Sequence, residues 1–436
     1  MIRMRQLIAE RVEPARKRVR SLIKEHGGRS IAQLNVAQLY GGVRGVICLV
    51  NETSALDPML GIRYRGRTIP ELLARLPRAV DSQQPLAEGL LFLLMTGEEP
   101  SDEDAAEVAA DLRARARSLD GDVLLALAGL PAETEPMAQL AVAVLSMQHT
   151  SVAHRAYREG AHSRDLWEAT YEDALNLLAA LPAIAAAIHR RTNGAPPATA
   201  PPPEGLDWAG RLAWALAGDT PLFDEATRLF SFLHGDHEGG NIGAHATHLV
   251  GSALADPYYA FSAGVAGLAG PLHGRATQDF MRWVTPLVED AGGPPTREAV
   301  ERHCVETLEL GQVIPGFGHA VLRRVDPRYV ALYRFCREHF PDSELVQTVG
   351  LLYEVVPEVL KRHGQDRNVW PTVDAYAGVL LRQFNVVDEP FYSVLIAVSR
   401  AIGVLSALVW DRILALPPER PKSVTTDWLE RHLNRG

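Results

Sequence analysis

Hydrophobic residues recur at intervals of three and four positions along most of the chain, which is the periodicity of an α-helix with one buried face. Pro14 lies inside the first such run and favours its division into two helices. Two glycines, Gly27-Gly28, predict the end of this run, which contains Leu7, Ile8, Val12, Ala15, Val19, Leu22 and Ile23. The basic, amphipathic N-terminus is partly like a transit peptide, but Glu10 and Glu13 come early. The pattern therefore favours a helix of the mature protein.

The pattern changes between Ile47 and Pro70, where the alternation in Ile62-Arg63-Tyr64-Arg65 predicts a short β-hairpin. Residues 85–97 return to an apolar run that predicts a buried helix closed by Gly97. Helical patterns then continue with little interruption. The fold is therefore predicted to be all-α with a minor N-terminal β-hairpin.

Two further segments divide the helical part of the chain. Ala195–Pro203 is rich in Pro and Ala and predicts a surface loop. Thr220-Pro221 predicts the start of a helix, with a capping residue followed by proline in the first turn. This helix is expected to reach His234.

Phe391–Trp410 is a mostly apolar stretch of a length that would also allow a membrane span. Its one charge, Arg400, would be costly in mid-membrane, so a helix buried in a large core is the favoured interpretation. A buried guanidinium then requires an anionic partner. That partner is either a protein carboxylate or the carboxylate of a bound ligand.

Composition limits the classes of partner and compartment, but it does not identify a site. The 436 residues carry a net charge of −9, which gives no broad electrostatic reason to bind nucleic acid or an anionic membrane. Cys48, Cys304 and Cys336 are far apart, which fits neither a disulfide framework nor a thiolate metal cluster and favours a reducing compartment.

Histidines cluster between His234 and His248, and such a cluster is one pattern of a metal site. His234 and His237 are three apart, but glycines at 235, 239 and 240 break the helical face that would hold ligands in register. His245 and His248 are interpreted as packing or capping residues. No metal is predicted.

Three short segments marked by Gly or Pro each present one ionisable side chain. They are Gly270-Pro-Leu-His273-Gly, Pro315-Gly-Phe-Gly-His319-Ala and Trp370-Pro-Thr-Val-Asp374. Glycine lets backbone and ligand approach closely, and proline stiffens a turn. An Asp in a dry site can remove a weakly acidic C–H proton, and a neutral His can donate a hydrogen bond to a carbonyl where charge develops. This set is sufficient to join an enolate to a keto acid.

Arginines suited to carboxylates accompany these segments. Arg400, Arg328 in Asp-Pro-Arg-Tyr and Arg420 in Pro-Glu-Arg-Pro lie in stiff settings, although each alone is as compatible with an ion pair. Arg44, in a glycine-rich turn, is on spacing alone a solvated loop charge. The set indicates a small polyanionic substrate.

From Tyr40 to Ser423 the chain resembles the citrate synthase family, of the type found in mitochondria and some bacteria. The motifs that carry the resemblance are Tyr40-GGVRG, Glu52-TSALDP, Gly61-IRYRG, Asp236-HEGGN, His248-LVGSALADPY, Gly267-LAGPLHG, Val313-IPGFGHAVLRRVDPRY, the WP-x-x-D setting of Asp374, and Glu419-RPKS.

The resemblance implies a nearly all-helical homodimer with two domains in each chain. Residues 1–273 and 384–436 would form a large domain for dimerisation and oxaloacetate. Residues 274–383 would form a mobile small domain on the CoA side, and its closure would exclude water.

The resemblance also implies roles for single residues. His273 would bond the acetyl thioester oxygen, Asp374 would take the methyl proton and His319 would polarise the oxaloacetate carbonyl. A further group would hold oxaloacetate or citrate, with the last member supplied by the partner subunit: His237, Arg328, Arg400 and Arg420. The residues expected to meet CoA are Arg323, Arg44 and Arg367. No cofactor or metal is implied, because acetyl-CoA is a co-substrate.

Four departures from the family pattern concern the neighbourhood of the site. Ile396 stands where the family commonly has Phe, Arg275 and Thr277 where Leu and Asn are usual, and Tyr376 where a His is usual. They leave the identity of the acyl donor open. The alternatives are a 2-methylcitrate or other alkylcitrate synthase and, from another class, a non-catalytic protein that binds acyl-CoA. A bacterial cytoplasmic location was expected, with a processed organelle protein as the other possibility.

Overall fold

The computed structural model describes residues 3–116, 121–196, 202–365 and 369–434. Within these ranges the chain forms twenty α-helices and one three-stranded sheet, which confirms the all-α prediction. The helices are α1 Arg3–His26, α2 Val36–Tyr40, α3 Ile69–Arg75, α4 Ala87–Thr96, α5 Asp102–Arg115, α6 Gly121–Ala128, α7 Pro136–Ser146, α8 Val152–Arg158, α9 Trp167–Thr192, α10 Trp208–Ala217, α11 Pro221–His234, α12 Ile242–Ser252, α13 Pro257–Leu268, α14 Ala276–Ala291, α15 Arg297–Glu309, α16 Pro327–His339, α17 Glu344–Arg362, α18 Asp374–Gln383, α19 Glu389–Leu414 and α20 Thr426–Leu433.

The predicted hairpin is present as a small antiparallel sheet in the order β1-β2-β3, with strands Ser54–Asp57, Gly61–Tyr64 and Arg67–Thr68. Its register pairs Ser54 with Tyr64. The Tyr64 side chain is fully buried, and its hydroxyl donates to backbone carbonyls at the end of α11 and just beyond it. The sheet is thereby joined to the segment that follows α11.

Helix α1 is continuous through Pro14, so the predicted division into two helices is wrong. Proline removes one backbone hydrogen bond, but tertiary packing of the helix face offsets that loss. Arg16, two residues beyond the proline, donates from Nε to the carbonyl of Ile413 at 2.7 Å. The residues of α1 that pack into the core are Met4, Ile8 and Val12.

Helix α19 runs through the centre of the molecule and contains the apolar stretch Phe391–Trp410. Two helices, α9 and α19, are long and apolar enough to cross a membrane by length and composition, and 94% of the apolar window of α19 is buried inside the fold. Two of its serines, Ser399 and Ser406, are satisfied within the helix, because each donates to a carbonyl one turn earlier. The prediction of a buried core helix is confirmed.

Helices α14 to α18 pack on one another, and α14 also packs against α19. Their apolar residues are continuous with the rest of the core. The three Gly- or Pro-marked segments lie at the ends of these helices: one precedes α14, one precedes α16 and one leads into α18. The loop predicted at Ala195–Pro203 lies outside the described residues from 197 to 201.

Candidate active site

Backbone hydrogen bonds join the second and third marked segments. Gly318 N donates to Trp370 O at 2.9 Å, and Thr372 N donates to Gly316 O at 2.9 Å. Gly316 has a φ of +73°, and a Cβ there would lie 2.8 Å from the Cβ of Ala375. Glycine at this position therefore permits both the turn and the close approach that sets His319 beside Asp374.

His273 lies just before the N-terminus of α14. Its Nε2 accepts a hydrogen bond from the backbone N–H of Gly243 at 3.3 Å, so the ring proton is on Nδ1. Burial, aided by the charge of Arg400, lowers the pKa of His273, although Asp374 opposes this. At neutral pH the ring is a neutral donor.

His319 has the opposite tautomer for the same reason. Its Nδ1 accepts from the backbone N–H groups of Val321 and Leu322 at 3.0 and 3.2 Å, which leaves the proton on Nε2. Burial and the charge of Arg328 lower the pKa of this histidine. Both histidines are thus neutral, and each has a defined free N–H.

Asp374 is the first residue of α18. Its Oδ1 accepts a hydrogen bond from the hydroxyl of Thr277 at 3.1 Å, and its Oδ2 lies 3.2 Å from the hydroxyl of Thr372. Its negative charge acts on the pKa values of both His273 and His319. A carboxylate and two neutral N–H donors therefore share one site.

The inner pocket, defined here as His237, Arg328 and Arg400, lies against these groups. The ring of His237 meets the ring of His319 edge-on at 6.0 Å between centroids. Burial, reinforced by both arginine charges, lowers the pKa of His237 well below its ordinary value. Its Nδ1 is buried without a hydrogen-bond partner among the described residues.

Arg328 is 3% exposed and forms an ion pair with the fully buried Asp326. Its Nε lies 3.1 Å from both carboxylate oxygens, and one terminal nitrogen lies 2.7 Å from Oδ2. Burial alone would raise the pKa of Asp326, but Arg328 holds it below its ordinary value. The internal carboxylate keeps the guanidinium fixed.

Arg400 lies in the middle of α19 and is 8% exposed. Its Nε donates to the carbonyl of His234 at 3.0 Å. Burial lowers its pKa, and Asp236 is the main charge that opposes this. Among the described residues no carboxylate forms an ion pair with Arg400 within 4.0 Å. Of the two partners expected for this cation, the arrangement favours a ligand carboxylate.

The floor beside Arg400 is formed by backbone. Gly403, one turn along α19, donates its N–H to the carbonyl of Gly235 at 2.8 Å. Any side chain at position 403 would overlap Asp236. Asp236 in turn accepts from the hydroxyl of Thr53 at 2.6 Å, which joins the loop before β1 to this floor.

The outer cations, defined here as Arg44, Arg323 and Arg420, are all exposed. Arg323 bonds the carbonyls of residues 320–322 through one terminal nitrogen. The residue before Arg420, Glu419, is held to α12 by His245 at 2.9 Å. Arg367 lies outside the described residues.

Sequence reasoning assigned no role to two residues that contact this site. Asp326 could have been recognised from Asp-Pro-Arg, because an N-cap aspartate followed by an arginine in the first turn places both groups at one helix end. Thr277 was seen only as a departure from a family pattern. Its contact with Asp374 depends on how α14 packs against α18, which no local signal reveals.

No group of three or more His, Cys, Asp or Glu side chains arranged to hold a metal ion occurs in the part of the chain that the structure describes. His234 packs in the core instead: its Nδ1 bonds the carbonyl of Phe230 at 2.9 Å, and burial lowers its pKa to about 3. His245 and His248 pair with Glu419 and Asp411.

Comparison with known proteins gives one consistent result. The model of the family "Citrate synthase, C-terminal domain" matches residues 42–422. A probable mitochondrial citrate synthase of Glossina morsitans morsitans is 44% identical over 432 residues, which are 99% of this chain and 93% of the relative. A mitochondrial 2-methylcitrate synthase of Yarrowia lipolytica is also 44% identical, over 98% of this chain and 90% of the relative.

A solved structure with the same fold is the ternary complex of carboxymethyl coenzyme A and oxaloacetate with citrate synthase from Thermoplasma acidophilum. Its TM-score is 0.74 at 19% sequence identity, and the match covers 90% of this chain and 97% of that one.

The expected bacterial cytoplasmic location is corrected by these comparisons. The insect and yeast relatives, and further relatives from plants, yeast and fish at 42–44% identity, all have mitochondrial names. These names point away from a bacterial cytoplasm. An expectation drawn from the N-terminal pattern has less weight than agreement over nearly the whole chain.

Proposed function

The chain belongs to the citrate synthase family, and from this premise we propose how its site performs the reaction. The protein is an acyltransferase that condenses acetyl-CoA with oxaloacetate and hydrolyses citryl-CoA to citrate and CoA. The residue roles given below are our proposal.

The complementary tautomers of the two histidines are the observation that carries the proposal. His273 has its proton on Nδ1, and His319 has its proton on Nε2, because backbone N–H groups occupy the other nitrogen of each ring. A neutral N–H group that is already in place can donate a hydrogen bond to an oxygen as negative charge develops on it, and so stabilises the oxyanion. Each histidine can therefore serve one carbonyl.

In the first step the Asp374 carboxylate takes a proton from the methyl group of acetyl-CoA. The Nδ1–H of His273 donates to the thioester oxygen, on which the enolate charge develops. The geometry that supports this step is a carboxylate beside a neutral donor, and general base catalysis of this kind contributes ~10²–10⁴-fold.

In the second step the enolate carbon attacks the keto carbon of oxaloacetate, and a new carbon–carbon bond forms. The Nε2–H of His319 stabilises the oxygen that receives the electron pair, and protonation of that oxygen gives citryl-CoA. Water then cleaves the thioester, and citrate and CoA thiol leave. A dry site favours both the proton removal and the oxyanion contact.

The inner pocket is proposed to hold oxaloacetate. Arg328 and Arg400 are buried cations, and His237 presents a neutral ring between them and His319. Arg328 already has Asp326 as its countercharge, whereas the hydrogen-bond partner of Arg400 within the described part of the chain is a carbonyl. A substrate carboxylate at Arg400 would supply the missing negative charge.

The outer cations are proposed to act once CoA binds and the partner subunit is in place. Arg323 and Arg44 would meet the phosphates of CoA, and Arg420 would reach citrate in the partner subunit. A homodimer is supported by apolar side chains that the single chain leaves exposed, among them Ile31, Leu34, Tyr40, Ile47 and Val50. We also propose that 274–383 closes on 1–273 and 384–436 when substrate binds.

A second candidate donor is propionyl-CoA. Ile396 stands one turn before Arg400 on α19, where the family commonly has Phe, and one relative is a 2-methylcitrate synthase. An aliphatic residue in place of an aromatic ring can leave room for one more methylene. Such a change is worth only ~1–3 kcal/mol of discrimination, so both donors are expected to react.

The test is oxaloacetate-dependent release of CoA thiol with acetyl-CoA and propionyl-CoA in parallel, with EDTA present. Faster turnover of acetyl-CoA supports citrate synthase, and faster turnover of propionyl-CoA supports 2-methylcitrate synthase. Asp374→Ala is expected to lower kcat by about a thousandfold with either donor. Full turnover by Asp374→Ala, or no turnover by the wild type, contradicts the mechanism.

A further inference from the structure

Thr277 is buried in the first turn of α14, at 1% exposure, and its hydroxyl lies 3.1 Å from Oδ1 of Asp374. A threonine in a helix often donates instead to a carbonyl of the preceding turn. Here the hydroxyl has one proton, and its acceptor among the described residues is Asp374. Thr277 is thus a committed donor to that carboxylate.

Thr372 is a weaker partner of the same carboxylate. Its hydroxyl lies 3.2 Å from Oδ2 of Asp374 and 3.3 Å from the carbonyl of Gly316. One hydroxyl proton cannot fully serve both acceptors. The orientation of the Asp374 carboxylate therefore depends more on Thr277.

The packing of α14 on α18 directs the Thr277 side chain. Gly378 lies one turn after Asp374 on α18, and a Cβ there would lie 3.1 Å from Cγ2 of Thr277 and 2.5 Å from Cγ of Met281. The missing side chain at 378 makes room for the Thr277 methyl group. With the methyl group held there, χ1 is fixed and the hydroxyl faces Asp374.

The first turn of α14 is itself anchored to the central helix. Gln278 Nε2 donates to Ser393 Oγ at 2.7 Å, and Ser393 Oγ donates to Gly274 O at 2.6 Å. Ser393 belongs to α19, the helix that also carries Arg400. The turn that follows His273 is thereby fixed relative to the inner pocket.

We propose that Thr277 is a positioning residue for the general base, which aims one oxygen of Asp374 at the methyl group of the acyl-CoA. This inference deepens the proposed function and rests on it. Thr277 does not touch the reacting atoms. The proposal gives a role to one departure from the family pattern, because Thr277, which stands where Asn is usual, contacts Asp374 directly.

The experiment compares the wild type with Thr277→Val, which keeps the shape of the side chain and removes the hydroxyl. We expect kcat to fall by about tenfold to a hundredfold, because a hydrogen bond to a charged group is lost, while KM for oxaloacetate changes less than about threefold. The primary isotope effect with acetyl-CoA deuterated on the methyl group should rise, because proton removal becomes slower relative to the other steps. Thr277→Ser restores the hydroxyl and should recover kcat to within about threefold of the wild type.

Thr285→Val is the matched control, because Thr285 lies on the same helix and its buried hydroxyl has no partner among the described residues. It should change neither kcat nor the isotope effect. A Thr277→Val enzyme with wild-type kcat and isotope effect overturns the proposal while leaving the proposed function intact. A Thr277→Ser enzyme as slow as Thr277→Val also overturns it, because a restored hydroxyl donor at this position would then not restore the base. A wild type that releases no thiol with either donor overturns both.

Discussion

The inner pocket and the outer cations both contain arginines, but those of the inner pocket are buried and the outer cations are exposed. Arg328 and Arg400 are buried, and each donates to a fixed oxygen of the protein, a carboxylate of Asp326 in one case and the carbonyl of His234 in the other. Arg44, Arg323 and Arg420 are exposed in the single chain.

The difference follows from the cost of moving a charge out of water. A buried guanidinium is tolerated where hydrogen bonds and countercharge compensate. Arg328 has both in the single chain, whereas Arg400 has the carbonyl of His234 and still lacks a paired carboxylate among the described residues. An exposed cation costs little because water solvates it, and even Arg323, which bonds backbone carbonyls, remains exposed. The single chain therefore holds the inner pocket in place by internal contacts, whereas the outer cations lie in solvent. Four substitutions and the dependence on pH test this contrast.

Replacing Arg400 by Gln should have the largest effect. The carboxylate of the substrate would lose its buried partner, and we expect kcat/KM for oxaloacetate to fall by about a thousandfold. Arg412→Gln is the matched control, because Arg412 is also buried on α19 but donates to the carbonyls of Gly251 and Ala255. The control should lower Tm without changing KM. Equal kinetic losses in both variants would contradict the assignment.

Arg420→Ala should lower kcat/KM by about a hundredfold, since a charged contact to citrate would be lost. If Arg420 acts in the partner subunit, mixing Arg420→Ala with Asp374→Ala and allowing subunit exchange should restore activity. Each heterodimer would contain one site with both residues intact. Absence of recovery in demonstrated heterodimers would contradict a shared site.

The third prediction concerns pH. Burial lowers the pKa values of His237, His273 and His319, so each of these rings stays neutral to a lower pH than an ordinary histidine does. The acid limb of kcat/KM should therefore lie below the ordinary histidine pKa, with a fall of about tenfold per pH unit for one protonation. An acid limb centred on an ordinary histidine pKa would contradict this.

The same shifts give a sign for stability. Below the ordinary pKa the unfolded state binds protons that the buried rings do not, so the unfolding free energy decreases as pH falls. The contribution is present above pH 6.5. For His234, whose pKa is lowered to about 3, the unfolding free energy should keep decreasing from pH 6.5 down to about pH 3. Chemical denaturation at several pH values would measure this decrease.

Arg323→Ala should act on CoA alone. We expect KM for acetyl-CoA to rise by about fivefold to tenfold, with kcat and KM for oxaloacetate unchanged, because an exposed phosphate contact is lost. Arg324→Ala, which removes the neighbouring exposed cation, is the control and should change KM less than about twofold. Equal effects of the two variants would indicate that the positive charge of this surface attracts CoA generally, rather than that Arg323 contacts a phosphate.

The smallest effect is expected from Ile396→Phe. A larger ring near Arg400 should raise the ratio of kcat/KM for acetyl-CoA over propionyl-CoA by about twofold to tenfold. Ile402→Phe, on the same buried helix, serves as a control for general overpacking. An unchanged donor ratio would remove Ile396 from the acyl pocket.

The helical fold was accessible from the sequence because burial leaves a periodic pattern. The buried helix around Arg400 and the hairpin near Tyr64 were both predicted from such patterns. The continuity of α1 through Pro14 was not, because it depends on a contact between Arg16 and Ile413, which lie at opposite ends of the chain.

The sequence predicted which residues belong to the candidate site, but it did not predict the contacts that set their tautomers and orientation. Gly and Pro beside His273, His319 and Asp374 marked the three segments, and the resemblance to a family supplied their expected roles. The tautomers were not predictable, because they depend on backbone N–H groups brought near by folding. The same is true of Thr277, whose hydroxyl meets Asp374 only after two helices pack.

Gly403 has a consequence for how this enzyme can evolve. Its helix donates a backbone hydrogen bond to Gly235, and no side chain fits between it and Asp236. Because a side chain at position 403 would displace Asp236, a substitution there would disrupt this floor of the pocket rather than reshape it. Lineages that acquire a new acyl donor must therefore do so through other walls, and the keto-acid end should remain the same while the acyl end diverges.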